Sequence, residues 1–189
     1  MLYCAGFQQH TRQPTVDTSH CCEYSQDGSR DTTTGGKQSN VSSLASSLSR
    51  RKVSSIALSV TGVVTQEKSA AELSQKGATL IESSISVLRE LVMDMKKRVF
   101  LVCEVEDDVG EAVVLDSLDH AGLIGNHMIP RHRVIFCSSS NSKVSIVRQL
   151  EPSLYVDVDV EVCRELSRFM DSIFILQEHV TLEEKLSSI

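Results

Sequence analysis

From Val53 onward, short apolar runs alternate with stretches whose apolar positions recur at helical spacing. The runs at 55–60 (SIALSV), 99–105 (VFLVCEV), 133–137 (RVIFC), 154–156 (LYV) and 172–176 (SIFIL) are apolar almost throughout. Unbroken runs of this kind predict strands buried on both faces rather than strands with one wet side. Between the first two, Ser69-Ala70-Ala71-Glu72 has the form of a capping box and opens a helical region. Ile81, Ile85, Leu88, Val92 and Met95 then follow at spacings of four and three, a single buried stripe.

A second helix is predicted over 108–121, with Ala112, Leu115 and Leu118 turned inward and Gly122 as its left-handed stop. Asn141 or Ser142 caps the next helix. It must end by Glu151, because Pro152 disfavours helical geometry in the residue before it. Asp157 or Asp159 caps the last one, which carries Val162, Leu166 and Phe169 inward. Strand and helix alternate, and continuously apolar strands need cover on both sides. The predicted fold is therefore a three-layer, Rossmann-like α/β domain with a mostly parallel sheet of about five strands, over residues 53–189.

Residues 1–52 break this pattern. They hold nine Ser, six Thr, four Gly and no Ile, too little apolar surface to offset the entropy of ordering, so a disordered tail is expected there. The tail carries six Lys/Arg against four Asp/Glu, a net +2, while residues 53–189 carry thirteen against twenty-one, a net −8. An acidic domain repels phosphate backbones, which argues against a nucleic-acid partner. With 4% aromatic residues and no Trp, the core is expected to be aliphatic. The six cysteines form no C-x-x-C pair, and Cys103, Cys137 and Cys163 sit within apolar segments. They read as free thiols without structural zinc or a disulfide frame. Leu2 to Phe7 is too short for a signal sequence. The longest uncharged run, 53–66, has 14 residues, short of the roughly 20 a membrane span needs.

In parallel α/β sheets ligands sit beyond the carboxyl ends of the strands, so candidate chemistry belongs there. Thr61-Gly62-Val63-Val64 after the first strand lacks the glycines a dinucleotide fold requires. Glu104, Asp107 and Asp108 after the second could hold Mg²⁺ for a phosphohydrolase, or could cap the next helix. Cys137 ends the third strand, before the polar loop Ser138-Ser139-Ser140-Asn141-Ser142-Lys143. A thiol before a helix N-terminus is the arrangement of a cysteine-dependent phosphatase or sulfurtransferase. Lys143, however, stands where C-x5-R would place the phosphate-gripping arginine, and the alternative is a structural cysteine with a Ser/Asn cap. Asp157-Val158-Asp159 has D-x-D spacing, but the haloacid-dehalogenase motif belongs after the first strand, so helix capping is expected. No catalytic constellation, metal site or cofactor site emerges from these ends.

The run VIFCSSSNSKVSIVRQLEP, with Phe136-Cys137-Ser138 and then Arg148-Gln149-Leu150-Glu151-Pro152, closely resembles plant members of the peroxin-22 family, as do Leu118-Asp119-His120-Ala121-Gly122 and the β-α order. The resemblance covers about residues 53–178. It implies a Rossmann-like fold and a non-catalytic role: docking and activating the ubiquitin-conjugating enzyme peroxin-4 at the cytosolic face of the peroxisomal membrane. That activity supports ubiquitination and recycling of the matrix-protein import receptor. It also implies an N-terminal membrane anchor, which this sequence does not display, so an anchorless form would be cytosolic. Arg148, Gln149 and Glu151 can serve either as a partner face or as intradomain hydrogen-bond partners.

Overall fold

A computed structural model describes residues 39–125, 127–177 and 179–188, with side chains from Leu44 onward. Five strands, β1 (Ser55–Ser59), β2 (Arg98–Glu104), β3 (Val134–Cys137), β4 (Leu154–Asp157) and β5 (Ile173–Ile175), form one sheet in the order β3-β2-β1-β4-β5. Every pairing is parallel, with β1 at the centre between Val99–Val102 of β2 and Leu154–Val156 of β4. The predicted fold class is therefore the observed one.

The period-two alternation of the strands divides the core into two layers. Ile56, Leu58, Leu101, Leu154 and Val156 face one layer. It is closed by α2 (Ala70–Lys76), α3 (Glu82–Arg89), α4 (Asp108–His120), α1 (Ser39–Arg50) and α7 (Leu182–Ser187) through Leu73, Leu88, Leu118, Leu48 and Leu186. Ala57, Val102 and Tyr155 face the other, under α5 (Ser140–Leu150) and α6 (Val160–Leu166) through Val147, Val162 and Leu166. Both faces are covered, which is why the strands read as unbroken apolar runs.

Local chemistry sets the ends of the helices. Ser69 caps α2 by accepting from Glu72 N–H, but the Glu72 carboxylate reaches Lys68 N–H at 2.9 Å rather than closing the box on Ser69. Gly122 stops α4 at φ +65°, with Leu123 N–H reaching back to Leu118 C=O at 2.9 Å. Gly62, at φ +74° after β1, lies so close to Val158 that a Cβ would sit 2.7 Å from Val158 Cγ2. A side chain there would be both strained and overlapped.

Five expectations are corrected. The disorder expected over residues 1–52 is contradicted at its carboxyl end: Ser39–Arg50 is helical, Leu44 and Leu48 are 0% exposed, and Ser47 Oγ donates to Ser187 C=O at 2.9 Å. Residues 1–38 lie outside the described residues. The cap of α5 is Ser139, not Asn141 or Ser142; Ser142 supplies the N–H that Ser139 accepts. In α4, Val114 takes the buried place expected for Ala112, which is exposed. Helix α6 stops at Leu166, so Phe169 falls outside it and is 56% exposed. The stripe of α3 also shifts, because the chain continues as a π turn over Glu90–Asp94 whose extra residue per turn brings Leu91 fully inside.

Candidate functional site: a closed polar cluster at the strand ends

Strands β1, β2, β3 and β4 end on Ser59, Glu104, Cys137 and Asp157, and α5 begins beside them, placing Lys143 in its first turn. Lys143 turns inward across the sheet end and is 2% exposed. Its Nζ donates to Ser59 Oγ at 3.3 Å and to Asp157 Oδ2 at 3.5 Å, with Glu104 Oε2 at 4.0 Å. Asp157 is 0% exposed and fully engaged. Tyr155 O–H donates to Oδ2 at 2.6 Å, and Val158 and Asp159 N–H donate to Oδ1 at 2.8 and 3.2 Å. Ser59 Oγ also meets Thr61 Oγ1 at 3.3 Å. An ammonium and a carboxylate buried this deeply persist because each is paired and each keeps several hydrogen bonds.

Asp157 and Lys143 thus form the centre of the site. The sequence assigned them other work: Asp157 was one of two candidate caps, and Lys143 an inadequate arginine. The cap of α6 is Asp159 alone, accepting from Glu161 and Val162 N–H at 2.9 and 3.3 Å. The available signal was positional, a lysine one turn into a helix whose strand neighbours end in polar residues.

The other candidates resolve individually. Asp107 caps α4 through Gly110 N–H at 2.9 Å and accepts from Ser74 Oγ at 3.2 Å, while Asp108 lies exposed in the first turn. Glu104 accepts from Ser140 Oγ at 3.2 Å. Among the described residues no group of three potential ligands could hold a metal ion. Cys137 is buried and its thiol donates to Cys103 C=O at 3.5 Å. Burial raises its pKa, only partly offset by the charge of Lys143. Burial likewise pushes the Cys103 and Cys163 thiols up to about 12. An activated nucleophile requires the opposite shift.

Of the motif residues, Phe136 and Leu150 pack partly buried against the two core layers, Pro152 is buried, and Ser138 is exposed. Gln149 and Glu151 are exposed on the end of α5, and Arg148 lies over the Phe169 ring at 3.8 Å.

The family model described as "Peroxisome biogenesis protein 22, Haloacid dehydrogenase-like domain" matches residues 46–189. The chain belongs to the peroxisome biogenesis protein 22 family. A curated relative, "Peroxisome biogenesis protein 22" of Arabidopsis thaliana, is 38% identical over 109 residues, which cover 58% of this chain and 38% of the relative. The match to the peroxisome biogenesis protein 22 model begins inside α1 and takes in every strand and the whole closed cluster. Where a haloacid-dehalogenase-type domain places D-x-D after its first strand, this member has Ser59-Val60-Thr61. Two buried hydroxyls stand at the spacing of two carboxylates, and the amine beside them is already committed to Asp157. Among the described residues, no helix of this family member is long and apolar enough to cross a membrane.

The thiol chemistry gives a direct check. With iodoacetamide at pH 8.5, Cys103, Cys137 and Cys163 should be modified only as fast as the domain unfolds, read by peptide mass mapping. Because their folded pKa values are raised, the stability they lend is full below the free-thiol value of about 8.5. For Cys103 and Cys163 it is lost as pH rises toward about 12. Alkylation of Cys137 tenfold faster than Cys103 would restore it as a reactive group.

Proposed function

We propose that this chain acts in peroxisome biogenesis as a non-catalytic docking and activating partner of the ubiquitin-conjugating enzyme peroxin-4. Its place is the cytosolic face of the peroxisomal membrane, where it supports ubiquitination of the matrix-protein import receptor and so the receptor's recycling. Family membership supports the peroxisomal role. The observation that carries the non-catalytic part is the closure of the strand ends. Lys143, Asp157, Ser59 and Thr61 satisfy one another out of solvent, and no carboxylate occupies the position of the D-x-D nucleophile. A domain whose strand ends are closed in this way offers partners its surface.

A cysteine-dependent phosphatase or sulfurtransferase is the reading these contacts disfavour, since the Cys137 thiol is buried, donates to a backbone carbonyl and has a raised pKa. The deciding experiment mixes the full chain with purified peroxin-4 on a sizing column and then measures ubiquitin discharge from the charged enzyme. Co-elution as a 1:1 complex with a severalfold faster discharge is the expected result. Separate elution at micromolar concentration would end the proposal.

A further inference from the structure

At the amino-terminal end of the sheet, opposite the closed cluster, the end of α5 and the chain after α6 enclose an open cavity of about 780 Å³. Arg148, Gln149, Glu151, Pro152, Phe169 and Met170 line it. The arginines nearby on α6 and just beyond it are paired, Arg164 with Glu161 and Arg168 with Glu165 at 3.1 Å. Arg148 differs. Its guanidinium is stacked over the exposed Phe169 ring at 3.8 Å, and its N–H groups have no carboxylate or carbonyl among the described residues. The stack fixes the planar donor fork in place without using its donors.

Glu151, beside it, has no side-chain hydrogen bond or ion pair among the described residues, and its backbone stands at φ +44° as the C-cap of α5. That left-handed position favours glycine, so a glutamate there is held against local preference. A strained, exposed acid next to a pre-oriented, exposed cation is the kind of outlier that points to function. One cation facing one anion suits neither a phosphate backbone nor an anionic membrane, both of which call for clustered positive charge. It suits a polypeptide, and arginine with an aromatic ring is the pairing over-represented at the energetic centres of protein interfaces.

We infer that this cavity receives the protein partner of the chain. The docked segment presents a carboxylate to the Arg148 fork, an N–H donor to Glu151 and an apolar side chain to Phe169 and Met170. The assignment rests on the docking role proposed above. The test titrates the full chain into purified peroxin-4 by calorimetry, using wild type, R148E, R148K, F169A and the remote exposed-site control M93A. Expected are at least tenfold weaker binding for R148E and F169A, a smaller loss for R148K, wild-type affinity for M93A, and an unchanged melting temperature for all four. Wild-type affinity in R148E and F169A, with wild type itself binding, would move the interface elsewhere and leave the partnership intact. Absence of binding by wild type would overturn both. A dimer of the chain alone that R148E dissolves would give the cavity to a second copy and overturn the assignment.

Discussion

Replacing Lys143 with alanine is expected to destabilise the domain by about 3–5 kcal/mol, because it leaves Asp157 buried without its counter-charge. At 0% exposure the carboxylate cannot recruit bulk water, and what remains to it is the Tyr155 hydroxyl and two backbone N–H groups. Ser59 Oγ loses the Lys143 ammonium as a donor in the same step. The loss should appear in urea unfolding followed by circular dichroism, and as a fall in thermal midpoint on the order of 10 °C. K143M keeps the aliphatic stem and separates packing from charge. It should cost nearly as much, because the stranded carboxylate dominates. Adding D157N to K143M removes that charge and should recover most of the loss, since a buried ion pair can be replaced by neutral groups at little net cost while a broken one cannot. Near-additive losses in K143M and D157N would show that the two side chains are not coupled.

The same contrast explains what the sequence made legible. Strand positions were readable because both faces of the sheet are covered, so each strand is apolar throughout and stands out from the helices around it. Asp107 as a cap was readable because capping is local: the side chain and the N–H it accepts from lie three residues apart. The closed cluster was not. Ser59, Glu104, Lys143 and Asp157 come from three strands and one helix, 14 or more residues apart in sequence, and only the parallel crossovers bring them together. Nor does a lysine announce burial, since its type is usually exposed and its partner is chosen in space. Phe169 failed for a related reason. The periodic pattern continued past Leu166, but the helix did not, and the ring found Arg148 on another element.

Helix α1 was hidden by its composition, and removing it gives the second large effect. Val41, Leu44 and Leu48 recur at three and four residues, but serines fill most of the positions between them, and three apolar residues are too few to stand out as a period. An isolated twelve-residue helix is marginal in water, so α1 owes its existence to the partner it packs on. That partner is α7, which opens on the Thr181–Glu184 capping box, with Leu182 and Leu186 turned toward the shared core. Substituting Leu48 with alanine in the full chain should therefore cost about 2–5 kcal/mol, as deletion of a fully buried leucine side chain does, while Leu48→Met should cost less than about 1.5 kcal/mol. A chain beginning at Val53 should lose more than L48A alone, because Leu44 goes as well and the α7 leucines are left facing water. Hydrogen exchange should then show α7 amides exchanging at least tenfold faster while those of β1 and β2 keep much of their protection. If the chain from Val53 unfolds at the same urea concentration as the full chain, α1 contributes no stability and the domain begins at β1.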